Sequence, residues 1–193
     1  GARVDGGGRV TPAILAVTAV AQICMADPTP TDRALIARAV RCHRAPGPVD
    51  IDDVRAILCA ERAVGMPAGM ALAATCDESG HSDAKGDCKL RHDCPARGWF
   101  QMWPWWERLC DRSNVQSAAL AWTARVARGA RMAVSDCGAT GIDAWRIGWA
   151  TAVRSCKKRG GRCRARCDET PKSWALFLRW SGRDRMSLAA WAP

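Results

Sequence analysis

The chain has no tyrosine and only two phenylalanines in 193 residues, so ten tryptophans carry nearly all of its aromatic surface. Histidine is scarce too. His43, His81 and His92 stand at no spacing used by metal ligands, and no Cys-x-x-Cys occurs, which argues against a zinc site. No run of about 18 apolar residues is present, so no segment reads as a membrane-spanning helix. Alternating strand patterns and long-period repeats are also missing, which leaves a mainly α reading. Acidic residues number 19 against 29 lysines and arginines, a formal net charge of +10, and this favours an anionic partner. No recognised nucleic-acid-binding motif accompanies that charge, so nucleic acid is the poorest of the anionic candidates.

What the chain does have is cysteine. Eleven in a chain of this length far exceeds cytosolic usage and points to disulfides formed in an oxidising compartment, secreted or periplasmic. Residues 10–21, VTPAILAVTAVA, follow Arg3 and Arg9 and have the length of a signal-peptide apolar region. Small-residue cleavage positions follow Ala21 and Ala26. Cutting after Ala26 removes Cys24 and leaves ten cysteines, enough for five bridges, so residues 1–26 are expected to be the signal peptide. Residues 27–193 then form one domain, 48% hydrophobic over the whole chain and too apolar to be disordered.

Helical signals run through that domain. Thr29-Pro30-Thr31-Asp32 offers an N-cap, a proline at the first helical position and an acid in the first turn, with Leu35, Ile36, Ala39 and Val40 as the inward face. Pro46-Gly47-Pro48 breaks the chain before Asp50 opens a second helix carrying Ile51, Val54, Ile57 and Leu58. Pro67 opens a third, PAGMALAATCDES, apolar for two turns. Ser113-Asn114-Val115-Gln116 reads as a capping box for a long helix with Ala118, Ala119, Trp122, Val126 and Ala130 on one stripe. Ile142, Trp145, Trp149 and Val153 mark another, and Trp174, Phe177 and Leu178 a short last one. Only residues 79–104 resist this pattern. Rich in Gly, Asp and Ser, and containing Cys88 and Cys94, they read as a disulfide-pinned loop.

The third helix ends in Asp77-Glu78-Ser79-Gly80. A carboxyl there stands where core meets solvent, and both partial burial and the negative helix end disfavour its charged form. A general acid needs that bias. Downstream, Gly98-Trp99-Phe100-Gln101-Met102-Trp103-Pro104 supplies a close-approach glycine, an amide and indole faces, a mixture suited to sugars.

GMALAATCDESG followed by GWFQMWP resembles the lytic transglycosylase SLT family of the lysozyme-like superfamily, whose helix ends in Glu-Ser before a Gly-Leu-Met-Gln block and a Pro. The two blocks span about residues 64–104. The resemblance implies a mainly α, lysozyme-like helical domain with a disulfide-pinned loop at the cleft and at most a minimal β element. It implies Glu78 as the single catalytic acid/base, protonating the glycosidic oxygen between N-acetylmuramic acid and N-acetylglucosamine. Glu78 then takes the proton of the muramoyl 6-hydroxyl to give a 1,6-anhydro product. Ser79 matches the residue that orients the glutamate, and Gln101 matches the cleft glutamine, with Met102 beside it. The implied partner is the peptidoglycan glycan strand, bound by a monomer with neither metal nor organic cofactor.

This chain departs from the family in two places. Glu78 and Gln101 are 23 positions apart, several more than the family's spacing, and the excess holds Cys88 and Cys94. The family's Ala-Tyr-Asn motif is missing, and Ala144-Trp145-Arg146 is the nearest match, which makes Trp145 the stand-in for the cleft tyrosine. A lysozyme-type hydrolase stays open as an alternative. It would want a second carboxylate about 5 Å away if retaining, or about 6.5–9.5 Å if inverting, and Asp83, Asp87 and Asp93 lie in the right stretch. A non-catalytic cationic cell-wall-binding protein stays open as well.

Four indoles, Trp99, Trp103, Trp105 and Trp106, fall within eight positions and cannot all bury on one face, so one or two are expected at the cleft, with Trp99 and Trp103 as the sugar platforms. Trp122, Trp149 and Trp174 sit on helical stripes and read as core. His81 lies close enough to Glu78 in sequence to approach the cleft. Cys76 is expected to be a disulfide partner that fixes the catalytic helix. CKKRGGRCRARC, residues 156–167, packs six cations among three cysteines. It reads either as a solvated, disulfide-tied basic loop or as a handle for anionic wall polymers or a membrane surface.

Overall fold

The computed structural model describes residues 27–82, 96–154, 157–159 and 162–182. The signal-peptide expectation for residues 1–26 lies outside these, as do Asp83, Asp87, Cys88, His92, Asp93 and Cys94.

Six α-helices and one short hairpin make up the described regular structure, apart from a single 3-10 turn. Helix α1, Pro30–Cys42, starts on Thr29, whose side chain accepts from Asp32 N while Asp32 accepts from Thr29 N. Asp32 also pairs with Arg62 of the next helix, tying the two together. Helix α2, Ile51–Ala63, is capped by Asp50, which accepts from Asp52 N at 2.8 Å.

Helix α3, Met70–Ser79, is the centre of the molecule: Met70 through Cys76 are all buried. A helix apolar on every side can only be surrounded. Pro67 does not open it. Gly69 stands at the N-cap in the left-handed region and brings no side chain to the orphan N–H groups. Glu61 of α2 supplies the acceptors instead. Its two carboxyl oxygens take Gly69 N at 2.7 Å and Ala71 N at 2.5 Å, and the residue is fully buried.

Helix α4, Val115–Cys137, is capped by Asn114, which accepts from Ser117 N at 2.8 Å. The expected capping box is therefore one residue out of register, because Ser113 is held by Asp111. Helix α5, Gly141–Arg154, crosses α4 in backbone contact at Gly129 and Gly148. A Cβ on Gly148 would lie 2.5 Å from Ala130 N and 2.8 Å from Val126 O, so only glycine permits this approach.

The β element proves to be an antiparallel hairpin, β1 Lys157–Arg159 with β2 Arg162–Arg164, in register Lys158↔Cys163. It occupies the basic stretch expected as a loop. Helix α6, Trp174–Trp180, closes the core against α3, where Ser173 Oγ donates to Asp77 at 2.7 Å.

The core is built of alanines, small aliphatics and indoles. Phe100, Trp122, Trp149, Trp174 and Phe177 form a chain of ring contacts with centroids 5.0–6.1 Å apart. Trp122, Trp149 and Trp174 are buried, as their helical spacing requires; Val40, expected inward, is exposed. Two disulfides stand among the described residues. Cys42–Cys76 joins the last turns of α1 and α3, and Cys137–Cys167 ties the end of α4 to the segment after the hairpin. Cys59 and Cys163 are disulfide-bonded as well. Cys110 is a free thiol. That corrects the five-bridge expectation for residues 27–193, since ten cysteines less Cys110 is an odd number. The parity argument for cutting after Ala26 loses its basis with it. The disulfides agree with an oxidising compartment, and no described helix is long and apolar enough to cross a membrane.

Candidate functional site

The site is built at the C-terminal end of α3. Ala74 and Glu78 are one helical turn apart and therefore share a face, and both line the same cavity. Two devices fix the helix end there. Cys76 is bridged to Cys42, and Gly80 turns the chain with φ +62°, its N–H returning to Cys76 O. A Cβ at Gly80 would run into the Arg44 side chain. Ser79 points inward and reaches the Trp99 carbonyl at 2.8 Å. It thus joins the helix carrying Glu78 to the loop carrying Gln101.

That loop is a tight reversal. Arg97 and Met102 exchange both backbone hydrogen bonds, with Gly98 at φ +70° and Gln101 at φ +47° inside the turn. Gly98 is a close-approach glycine, as expected: a Cβ there would fall 2.1 Å from Arg112 O. Gln101 is the unusual member, because non-glycine residues rarely adopt a positive φ and persist there only when their surroundings impose it. Its amide nitrogen donates to Gly98 O at 2.9 Å. After the reversal, Pro104–Arg108 winds as a 3-10 turn that stacks Trp105 on Trp106, centroids 4.6 Å apart.

Together these parts enclose a cavity of about 310 Å³. Glu78 and Gln101 stand on its wall with Met102, Trp103, Trp105 and Trp106, while Trp122, Trp149 and Val153 contribute from α4 and α5. Glu78 is the one carboxylate on that wall among the described residues. It is exposed, not partly buried as the sequence suggested, because α3 turns Ser79 and Gly80 inward and leaves Asp77 and Glu78 on the outer side. Trp105 is 41% exposed, whereas Trp106 is buried. On α4, Arg125 lays its guanidinium over both indoles, 4.7 Å and 5.3 Å from their centroids, and its Nε donates to Ala152 O at 3.0 Å.

The chain matches no protein-family model, no curated protein and no solved structure.

Of the residues chosen from sequence, Glu78, Gln101, Met102 and Trp103 come together on this cavity, and Ser79 buttresses it from behind. Trp99 and Trp145 are not on its wall. Trp99 is buried with its ring 5.2 Å from His81, and Trp145 is half-buried against the main core. The α5 side chains that reach the cavity are Trp149 and Val153, one and two turns past Trp145. The neighbouring Arg146 clamps α5 to residues 167–170 through Cys167 O, Glu169 O and Thr170. Sequence reasoning passed over Trp105 and Arg125 as site residues. The signal for Trp105 was the run of four indoles; Arg125 had none, because only the folded chain sets it against them.

Two buried titratable groups surround α3 without facing the cavity. His81 is fully buried, its Nδ1 3.1 Å from Ala39 O and its Nε2 3.1 Å from Leu72 O, so it does not approach the cleft. Burial draws its pKa below the ordinary histidine value, while the two carbonyls pull it up. Burial pushes the Glu61 carboxyl up to about 8, against the pull of the Gly69, Ala71 and Leu72 N–H groups. No group of three or more His, Cys, Asp or Glu side chains able to hold a metal occurs among the described residues.

Proposed function

We propose that this chain is secreted and cleaves the β-1,4 bond between N-acetylmuramic acid and N-acetylglucosamine in peptidoglycan, with Glu78 as sole acid/base. The observation that carries the reading is the shared wall: Glu78 and Gln101, 23 positions apart, face one cavity also lined by indoles. A pyranose ring stacks on an indole face, and an amide hydrogen-bonds hydroxyl and N-acetyl groups, so the cavity offers what an aminosugar strand requires. A strand lying there covers Glu78 and strips its water, and burial of that kind raises a carboxyl's pKa.

In the proposed reaction, protonated Glu78 gives its proton to the glycosidic oxygen as the bond to the muramoyl anomeric carbon breaks. The resulting carboxylate takes the proton of the muramoyl 6-hydroxyl, whose oxygen closes on that carbon. The product is a 1,6-anhydro sugar, no water is consumed, and Glu78 ends protonated as it began. This cycle uses Glu78 for both proton transfers and needs no second carboxylate, whereas a retaining or inverting hydrolysis would use one.

The test is digestion of purified sacculi with mass analysis of the soluble products. Anhydro-muropeptides from the wild type, absent with folded Glu78→Gln, are the expected result. Reducing-end products would convert the reading to a hydrolase. Binding to sacculi without soluble product would make the chain a wall-binding protein, and unchanged activity of Glu78→Gln would remove Glu78 from the chemistry.

A further inference from the structure

Arg125 is half-buried, and among the described residues no carboxylate pairs with it. Among the described residues the charge that acts on it is Arg128, one turn along α4 and of the same sign. Its Nε is committed to Ala152 O, and its guanidinium plane lies over the Trp105–Trp106 pair that walls the cavity. Arg125 and Arg128 also line a smaller cleft of about 90 Å³, together with Gly129, Met132, Thr151 and Ala152. Arg125 therefore belongs to both hollows: it lines the cleft and touches the indoles of the cavity. A half-buried guanidinium packed on apolar faces gains from a carboxylate or phosphate partner, and indole faces orient it without neutralising it. The missing counter-charge is the informative feature.

We infer that Arg125 and Arg128 form an anion-reading subsite beside the cavity, which takes a carboxylate of the bound glycan strand and selects acidic muramoyl strands over neutral chitin-like ones. This rests on the glycan-strand reading given above. The carboxylate has two sources. One is the lactyl group of a muramoyl residue stripped of its peptide; the other is the stem peptide of an intact strand.

The test is a tryptophan-fluorescence titration of the full chain carrying Glu78→Gln, which binds without turnover; Trp105 is the exposed reporter beneath Arg125. Three probes are used: chitohexaose, peptide-stripped glycan strands and peptide-bearing strands. Adding Arg125→Gln is expected to weaken binding of the charged strands about tenfold more than that of chitohexaose, and to abolish most of the salt dependence. Arg125→Lys should recover part of the loss. Arg128→Gln, at an exposed position, should act in the same direction and serves as the reading should Arg125→Gln fail to fold. If only the stripped strands respond, the carboxylate is lactyl; if only the peptide-bearing ones respond, it belongs to the stem. Equal loss for neutral and charged probes would overturn the subsite and make Arg125 a support for the indoles. Equal affinity of the parent for all three probes would also overturn it, with glycan binding intact. Binding of none would overturn the subsite and the glycan reading together.

Discussion

Replacing Glu61 tests how the helix that carries Glu78 is held. The carboxyl is fully buried and accepts from Gly69 N and Ala71 N, two of the N–H groups that α3 cannot satisfy internally. Glu61→Ala leaves both unpaired and opens a cavity, which should cost about 3–5 kcal/mol. Glu61→Gln keeps one carbonyl acceptor and the side-chain shape, so at pH 5 it should cost about 1 kcal/mol. Two opposed influences act on the native carboxyl: burial raises its pKa, and the backbone N–H groups lower it. Burial prevails, and the value stands at about 8 against an ordinary 4.5.

The sign follows from linkage. A carboxyl whose folded pKa is raised holds its proton in the folded chain where the unfolded chain has lost it. Its stabilisation is therefore complete below pH 4.5 and falls away up to pH 8. Between pH 5 and pH 8 the wild type should lose about 3–4 kcal/mol through this group, at about 1.4 kcal/mol per pH unit. His81 works the other way, because its lowered pKa favours the fold above the ordinary histidine value and penalises it below. The quantity to measure is thus the difference between wild type and Glu61→Gln, in which the His81 contribution cancels. Urea unfolding at pH 5, 6.5 and 8 supplies it. A difference that is constant or grows with pH would refute the reasoning and show that the N–H groups keep Glu61 ionised.

Three further outcomes follow from the geometry. The Cys42–Cys76 bridge closes a sequence separation of 34 residues, so Cys42→Ser with Cys76→Ser should lower stability by about 3–4 kcal/mol in urea and reduce sacculus digestion by loosening the Glu78 end of α3. Gly148→Ala forces a methyl against Ala130 N and should cost at least about 2–3 kcal/mol in thermal unfolding; near-UV circular dichroism should change too, because Trp122 and Trp149 meet edge to face across that crossing. Gly98→Ala meets Arg112 O at 2.1 Å in a left-handed turn, and its cost should appear as lost glycan binding along with lost stability; a silent variant would contradict the loop geometry.

Much of the helical plan was legible because its causes are local. Thr29 with Asp32, Asp50 ahead of Ile51, and the spacing of Trp122 and Trp149 each announce a cap or a stripe within one or two turns of chain. The start of α3 was misread because its cap comes from Glu61, eight residues earlier than Gly69 and on another helix. The strand pair 157–159 and 162–164 was hidden in a run of cations that shows no apolar alternation. At the site, Glu78 and Gln101 were legible by motif. The substitution of Trp149 for Trp145 on the wall was not, since both lie on the same helical stripe and only the packing of α5 against its neighbours decides which turn reaches the cavity.

By itself the sequence determined which segments are helical, that cysteines staple them, and which carboxyl and amide are candidates for chemistry; periodicity, caps and residue type are properties of neighbours along the chain. Tertiary structure alone decided that Glu78 stands exposed at a cavity rim, that Glu61 holds the far end of its helix, and that an arginine with no carboxylate partner among the described residues lies over two indoles. Those facts depend on groups brought together from different helices, where burial and charge are set by what packs alongside and not by what precedes or follows in the chain.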